Sequence, residues 1–357
     1  MRIVFMGTPD FAVPSLDILV KNGYEVVLVV TQPDRPKGRG HQVSCCAVKE
    51  FALQKGLSIL QPEKIGDEGC VAQLKELKPD LLITCAFGQF LPQRVLDIPP
   101  KGTINVHGSL LPRYRGAAPI QWAIINGDKK TGITTMLTVL KMDAGDILLQ
   151  KEIELDDEIT AGQLYDRMSL LGAETLLETL QKLESGNIAP VPQPQCDTCY
   201  AQKITRETGL IQWDLPAQQI HNLVRGTNPW PGAYSWFKGE RMRVWKTKVI
   251  NCDNASALPL LSGVNRSLDG DIQPTNDIGF RHQTDVSGSI PSDIRNEPAV
   301  APPPGTILDI TRDGFEVQTG NGVLQILELQ CDNAKRLTVN QYVCGHLVEK
   351  GDRFGTE

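Results

Sequence analysis

The chain of 357 residues is 41% hydrophobic and 22% charged, with a formal net charge of −6. That is the profile of an ordinary globular protein with room for roughly two domains of 100–200 residues. No apolar run reaches the ~20 residues that a membrane-spanning helix needs, and the opening MRIVFMGTPDF has the layout of neither a signal nor a transit peptide, so a cytoplasmic protein is expected.

In chain order, Arg2–Gly7 and Tyr24–Thr31 are Val/Ile-rich apolar runs, separated by an amphipathic stretch that stops at Gly23. Helix candidates ending near Gly56 and spanning Glu68–Leu77 lead to further strands at Asp80–Cys85 and Thr103–His107. Buried runs joined by crossover helices predict an α/β fold built on a doubly wound, mostly parallel sheet. Thr131–Val139 and Ile147–Leu155 add strands. The capping box Thr160-Ala-Gly-Gln163 then opens a helix with Leu164, Met168, Leu171, Leu176 and Leu180 on one side and Gly186 as its stop. A catalytic domain over 1–188 is expected from this half.

Composition shifts at Asn187–Gln202, and the Pro- and Gln-rich residues 189–206 read as a linker. The CxxC pair there, Cys196 and Cys199, lacks a second ligand pair at metal-binding spacing, so no metal is expected. The nine cysteines as a whole read as reduced thiols. Over 207–357 a helix at Ala217–Arg225 precedes strands at Ala233–Phe237, Met242–Ile250, Gly305–Ile310, Gly314–Thr319 and Gly322–Gln330, which with their Gly-rich turns suggest a small barrel. Residues 251–304, rich in Ser, Asp, Asn and Pro, lack the apolar content to pack and read as a mobile insertion.

Two stretches near strand ends draw attention. Met6-Gly7-Thr8-Pro9-Asp10 follows the first strand, where dinucleotide-binding folds carry a GxGxxG loop, but has a single glycine and reads as a tight turn. A nicotinamide dehydrogenase is therefore disfavoured. In INVHGSLLPRYRGAAP, Asn105 and His107 sit two apart at the end of a strand, so their side chains share a face. Asp143, after the next strand, could reach the same edge. An amide can steady an oxyanion, an imidazole can move protons near neutral pH, and a carboxylate can orient it. A strand-end histidine capped by a carbonyl, with Asp143 serving only its turn, leaves the same trace in sequence.

The stretch NVHGSLLPRYRGAAPIQWAIINGD resembles the signature of the folate-dependent formyltransferases. FMGTPDFAVPSLDIL, TQPDRPKGRG, KPDLLITCAFGQFLP, MDAGDILLQ, NPWPGA and GDRFG match in the same order, covering nearly all of the chain outside 251–304. The resemblance implies a Rossmann-like catalytic domain, a C-terminal OB-like β-barrel that helps hold tRNA, and catalytic roles for Asn105, His107 and Asp143. It implies transfer of a formyl group from 10-formyltetrahydrofolate to the α-amine of methionine on initiator tRNA, by a monomer that needs no metal. Ser109, Leu110, Leu111 and Pro112 would line the folate pocket, and Phe87, Gly88, Gln89 and Leu91 a wall for the pterin ring.

The resemblance assigns the basic loop with Arg35, Lys37 and Arg39 to the tRNA acceptor end. After this loop the chain reads HQVSCCAVKEF, where family members commonly carry a proline-containing segment. Residues 207–250 hold six Lys/Arg against three Asp/Glu. Arg225, Arg241, Arg243, Lys246 and Lys248 are phosphate-contact candidates there. Residues 251–304 hold three Lys/Arg against seven Asp/Glu, which is expected to keep the insertion away from the tRNA path. Two alternatives stay open: another formyltransferase or donor hydrolase of the superfamily, and a non-catalytic tRNA-binding relative.

Overall fold

The computed structural model describes residues 1–37, 42–194, 197–251 and 302–355. Arg39, Cys196 and residues 252–301 of the expected insertion lie outside the described residues. The chain begins with β1 (Arg2–Gly7), a 3-10 turn at Asp10–Ala12, α1 (Val13–Lys21) and β2 (Glu25–Val30). A hairpin of β3 (Arg35–Lys37) and β4 (Gln42–Ser44) follows, so part of the segment read as a loop is paired backbone. Next come α2 (Ala47–Gln54), β5 (Ile59–Leu60), α3 (Glu68–Leu77), β6 (Leu81–Cys85), α4 (Gln93–Leu96) and β7 (Thr103–His107). This half continues with β8 (Arg115–Gly116), α5 (Pro119–Ile125), β9 (Lys130–Leu137), β10 (Ile147–Glu154) and α6 (Ala161–Glu184).

The large sheet has the order β10-β9-β7-β6-β1-β2-β5. Strands β1, β2, β5, β6 and β7 are parallel, and β9 and β10 join antiparallel. Continuous apolar strands supply both faces by alternation. Ile3, Phe5, Val29, Ile83 and Ile104 share a core with Leu16 and Leu19 of α1 and Leu164 and Met168 of α6. Val4, Met6, Leu28, Val30 and Leu82 share the other with Val71 and Leu74 of α3. From β1 the chain winds outward through β2 and β5, and from β6 the other way to β7. A crevice at the carboxyl ends of the strands is expected at this reversal.

The 189–206 stretch is tethered along its course. Val191 exchanges two backbone hydrogen bonds with Ile147, at 2.8 and 2.9 Å, and β11 (Tyr200–Ala201) pairs with β8. Main-chain bonds need no apolar periodicity, which is why this docking leaves no pattern in the sequence.

The remaining elements are α7 (Ala217–Gly226), β12 (Ala233–Phe237), β13 (Glu240–Asn251), β14 (Ile307–Ile310), β15 (Phe315–Gln318), β16 (Val323–Cys331), β17 (Leu337–Thr338), α8 (Val339–Val343) and β18 (Phe354–Gly355). They form an antiparallel sheet of order β14-β15-β16-β13-β12-β18, with β17 on β16. A bridge between Thr306 and Arg353 ties its two ends, so the sheet curls round a core that includes Phe237, Phe315 and Phe354. Helix α7 packs against α5 on one side and β13 on the other, seating the curled sheet on the first half.

Candidate active site

Asn105 and His107 project from the carboxyl end of β7, as their spacing predicts, and the β9–β10 connection brings Asp143 to them. All three line a cavity of about 640 Å³, within the usual range for small-ligand sites. The Thr84 hydroxyl, from the adjacent β6, donates to Asn105 Oδ1 at 2.8 Å. With that oxygen engaged, Nδ2 is the donor that Asn105 offers a ligand. His107 is 6% exposed, and its Nε2 lies 2.9 Å from the Tyr114 carbonyl oxygen. A carbonyl only accepts, so Nε2 is assigned the proton and Nδ1 is the nitrogen that gains or loses one. Nδ1 faces Asp143 Oδ2 at 3.7 Å, an ion-pair distance when the ring is protonated. The same oxygen accepts the Gly116 backbone N–H at 2.8 Å. Asp143 has φ +47°, a left-handed conformation that aspartate tolerates better than most residues.

The segment after β6 forms another wall. The Phe87 carbonyl accepts from Thr8 Oγ1 at 2.9 Å and Gln32 Nε2 at 3.2 Å. Gln89 spends both ends of its amide on backbone: Oε1 accepts from Ile65 N–H at 2.8 Å and Nε2 donates to the Pro62 carbonyl at 2.9 Å. Phe87, Gly88, Gln89 and Leu91 all line the cavity, joined by Phe90, which is 61% exposed. Gln89 thus fixes the shape of this wall through its side chain.

Ser109, Leu110, Leu111 and Pro112, which the resemblance implied for the folate pocket, stand in the turn beside this cavity rather than among its lining residues. Ser109 Oγ donates to the Arg113 carbonyl at 2.6 Å, and the Leu111 N–H donates to Thr134 Oγ1 at 3.1 Å. Ser109, Leu111 and Pro112 are buried, shaping the turn between His107 and Tyr114.

Sequence reasoning missed Thr84, Phe11, Met136 and Tyr165, all lining residues. Tyr165 lies on α6, and its hydroxyl donates to Asp10 Oδ1 at 2.6 Å. It falls one residue beyond Leu164 in the apolar stripe, a position that reads as core.

The cationic candidates divide. Arg35 is exposed on β3, Lys37 ends that strand, and Arg39 lies outside the described residues. Arg241 and Arg243 alternate with buried Met242 and Val244, and so face away from the barrel core. The Arg241 guanidinium lies 3.9 Å from the centre of the Tyr234 ring, and Arg243 is 3.9 Å from Asp332 Oδ1. A register shift after Val244 keeps Lys246 and Lys248 exposed. Arg225 is a correction: it is 4% exposed and donates to Asn222 Oδ1 and to the carbonyls of Asp156 and Ile159. It fastens α7 to the first half and has no face for a phosphate. Among the described residues, no cluster of His, Cys, Asp and Glu could hold a metal ion, and the buried Cys199 accepts a hydrogen bond from Tyr114 N–H.

Residues 1–180 match the family profile described as formyl transferase, and residues 203–347 match formyl transferase, C-terminal domain. The methionyl-tRNA formyltransferase of Acetivibrio thermocellus is 47% identical over 355 residues, covering 99% of this chain and 100% of the relative. That of Clostridioides difficile is 42% identical over 351 residues, covering 98% and 99%. Among solved structures, an N-formyltransferase from Helicobacter canadensis in complex with folinic acid and dTDP-3-aminofucose shares the fold with a TM-score of 0.62 at 15% identity, covering 91% of this chain and 98% of that one. WlaRD, a sugar 3N-formyl transferase crystallised in the presence of dTDP and 5-N-formyl-THF, does so with a TM-score of 0.60 at 17% identity, covering 94% and 99%.

Proposed function

The chain belongs to the formyl transferase family, and we propose from that premise that its cavity takes 10-formyltetrahydrofolate as donor. The enzyme formylates the methionine carried by initiator tRNA; its full-length relatives are named methionyl-tRNA formyltransferases. The observation that carries the donor assignment is the convergence of Asn105, His107 and Asp143 on a cavity with Phe87, Phe90 and Leu91 in its wall. Flat apolar rings suit a pterin, and three polar groups at one edge suit an acyl transfer.

The geometry supports one role for each residue in this reading. Asn105 Nδ2 donates to the formyl oxygen as charge develops on it, which an amide held by Thr84 does without reorganising. His107 takes the amine proton at Nδ1 and returns one to the departing N10 nitrogen, while Tyr114 holds the far side of its ring. Asp143 stabilises the imidazolium between those steps. One carbon–nitrogen bond forms, one breaks, and the amine proton ends on the folate.

Arg35, Lys37 and Arg39 on the first half, with Arg241, Arg243, Lys246 and Lys248 on the barrel, meet tRNA phosphates in this reading. A monomer suffices, since one chain carries both the cavity and the cationic faces. No helix among the described residues is long and apolar enough to cross a membrane; a charged-tRNA substrate favours the cytoplasm as the site of action.

The purified protein, given 10-formyltetrahydrofolate and methionyl initiator tRNA, is expected to yield formylmethionyl-tRNA in a single turnover. Formylation of an amino sugar nucleotide in preference to the tRNA would overturn the acceptor assignment, and transfer only from a non-folate donor would overturn the donor.

A further inference from the structure

Gln193 lies in the tethered stretch between the two halves, yet its side chain reaches the catalytic loop. Its Nε2 donates to the backbone carbonyls of Asp143 at 2.9 Å and Gly145 at 2.7 Å. Its Oε1 accepts from Nε and Nη2 of Arg115, at 3.1 and 2.6 Å. Arg115 is 5% exposed and pairs in β8 with Tyr200, and the next residue, Gly116, donates its N–H to the Asp143 carboxylate. One amide therefore links the backbone that carries Asp143 to the strand that grips its carboxylate.

Asp143 needs such support. Its left-handed backbone, though tolerated by aspartate, is less common than the right-handed one and is steadied by hydrogen bonds from its surroundings. Its carboxylate stands 3.7 Å from His107 Nδ1, so a small rotation of the loop changes the charge felt by the imidazole.

We propose that Gln193 is a positioning residue for formyl transfer, holding Asp143 in register with His107 from the segment that leads to the barrel domain. The inference rests on the proposed roles of His107 and Asp143. It extends them by making the docked linker part of the site's support. The amide is required in both senses: a glutamate keeps an acceptor for Arg115 but has no donor for the two carbonyls.

The test compares full-length wild type with Gln193→Ala and Gln193→Glu in single-turnover formylation of methionyl initiator tRNA. Both variants are expected to lose roughly 10- to 100-fold in the transfer rate, the scale of a sub-ångström to ångström misplacement. KM for the charged tRNA and calorimetric affinity for 5-formyltetrahydrofolate should stay within about twofold of wild type, and the pH profile of the transfer rate should move in both variants. A Gln193→Glu enzyme with wild-type rate and pH profile would overturn the proposal, because the lost donors would then be irrelevant. So would a raised KM for tRNA with unchanged transfer rate, which would make Gln193 a structural part of the tRNA path alone. If Gln193→Ala fails to fold, as judged by circular dichroism, the glutamate variant decides the matter. An inactive wild type would count against formyl transfer itself rather than against the role of Gln193.

Discussion

At the scale of single residues, each of the proposed catalytic groups is fixed by a hydrogen-bonding partner. Thr84 assigns the amide orientation of Asn105, and the Tyr114 carbonyl assigns the imidazole tautomer of His107. Proton transfer and oxyanion stabilisation then separate in a measurable way. His107→Ala is expected to lower single-turnover formylation by roughly 10²–10⁴-fold. Asn105→Ala should cost about 10²–10³-fold, with affinity for 5-formyltetrahydrofolate changed little in both. Near-full transfer by the alanine variant at position 107 would remove His107 from the mechanism. Of these groups, Asn105, His107 and Asp143 were candidates in the chain, two of them through period-two spacing at a strand end, but their proposed roles came only with the family resemblance. Thr84 was not, since a threonine in an apolar strand looks like ordinary β-former.

At the scale of elements, the β9–β10 connection is the part that delivers a carboxylate to the histidine. It turns tightly: the Leu137 N–H bonds the Asp146 carbonyl at 2.9 Å. A Cβ built on Gly145 would lie 1.7 Å from the Leu137 carbonyl oxygen, so only glycine fits. Gly145→Ala must open this turn, and overpacking of that kind costs about 1–3 kcal/mol. Its melting temperature and its transfer rate should fall together, as differential scanning calorimetry and single-turnover kinetics would show. A wild-type rate in a destabilised variant would mean that the turn does not govern Asp143. The longer strands β1, β2, β6, β7, β9 and β10 and helices α1, α2, α3 and α6 were legible from apolar runs, stops and the Thr160 capping box, whose reciprocal bonds are present, whereas α4, α5 and the short β3, β4, β5 and β8 were not. The docking of 189–206 was not, because the bonds of Val191, Tyr200 and Ala201 are made by main chain.

At the scale of the whole molecule, α7 is the joint. His221 is 6% exposed. One ring nitrogen meets Thr247 Oγ1 of β13 at 2.9 Å and the other the Asp157 carbonyl of the first half at 2.8 Å. Burial holds its pKa below the ordinary 6.5, outweighing Asp157 and Glu158, which favour the charged form, while Arg225 opposes it. The unfolded chain therefore binds a proton at pH values where the folded joint does not. Stability from this group is present above about pH 6.5 and is lost as pH falls towards the lower folded value. The melting temperature of wild type should drop between pH 7.5 and 5 more steeply than that of His221→Gln. Equal slopes would show that this histidine does not set the acid sensitivity of the joint.

The sequence by itself determined the α/β and barrel-like halves and the family. Alternation, capping and ordered motifs are local properties of the chain, and each survives whatever the distant packing does. It also singled out Asn105, His107 and Asp143 as candidates, but not which nitrogen of the imidazole faces the carboxylate or what holds the loop that carries Asp143. Those were decided only in three dimensions. The Tyr114 carbonyl, the Thr84 hydroxyl and the Gln193 amide act through hydrogen bonds whose partners are set by how strands, turns and linker come together. The same packing turned Arg225 from an expected phosphate contact into a buried fastener. A charge or a hydroxyl in a sequence has no direction until the fold gives it neighbours.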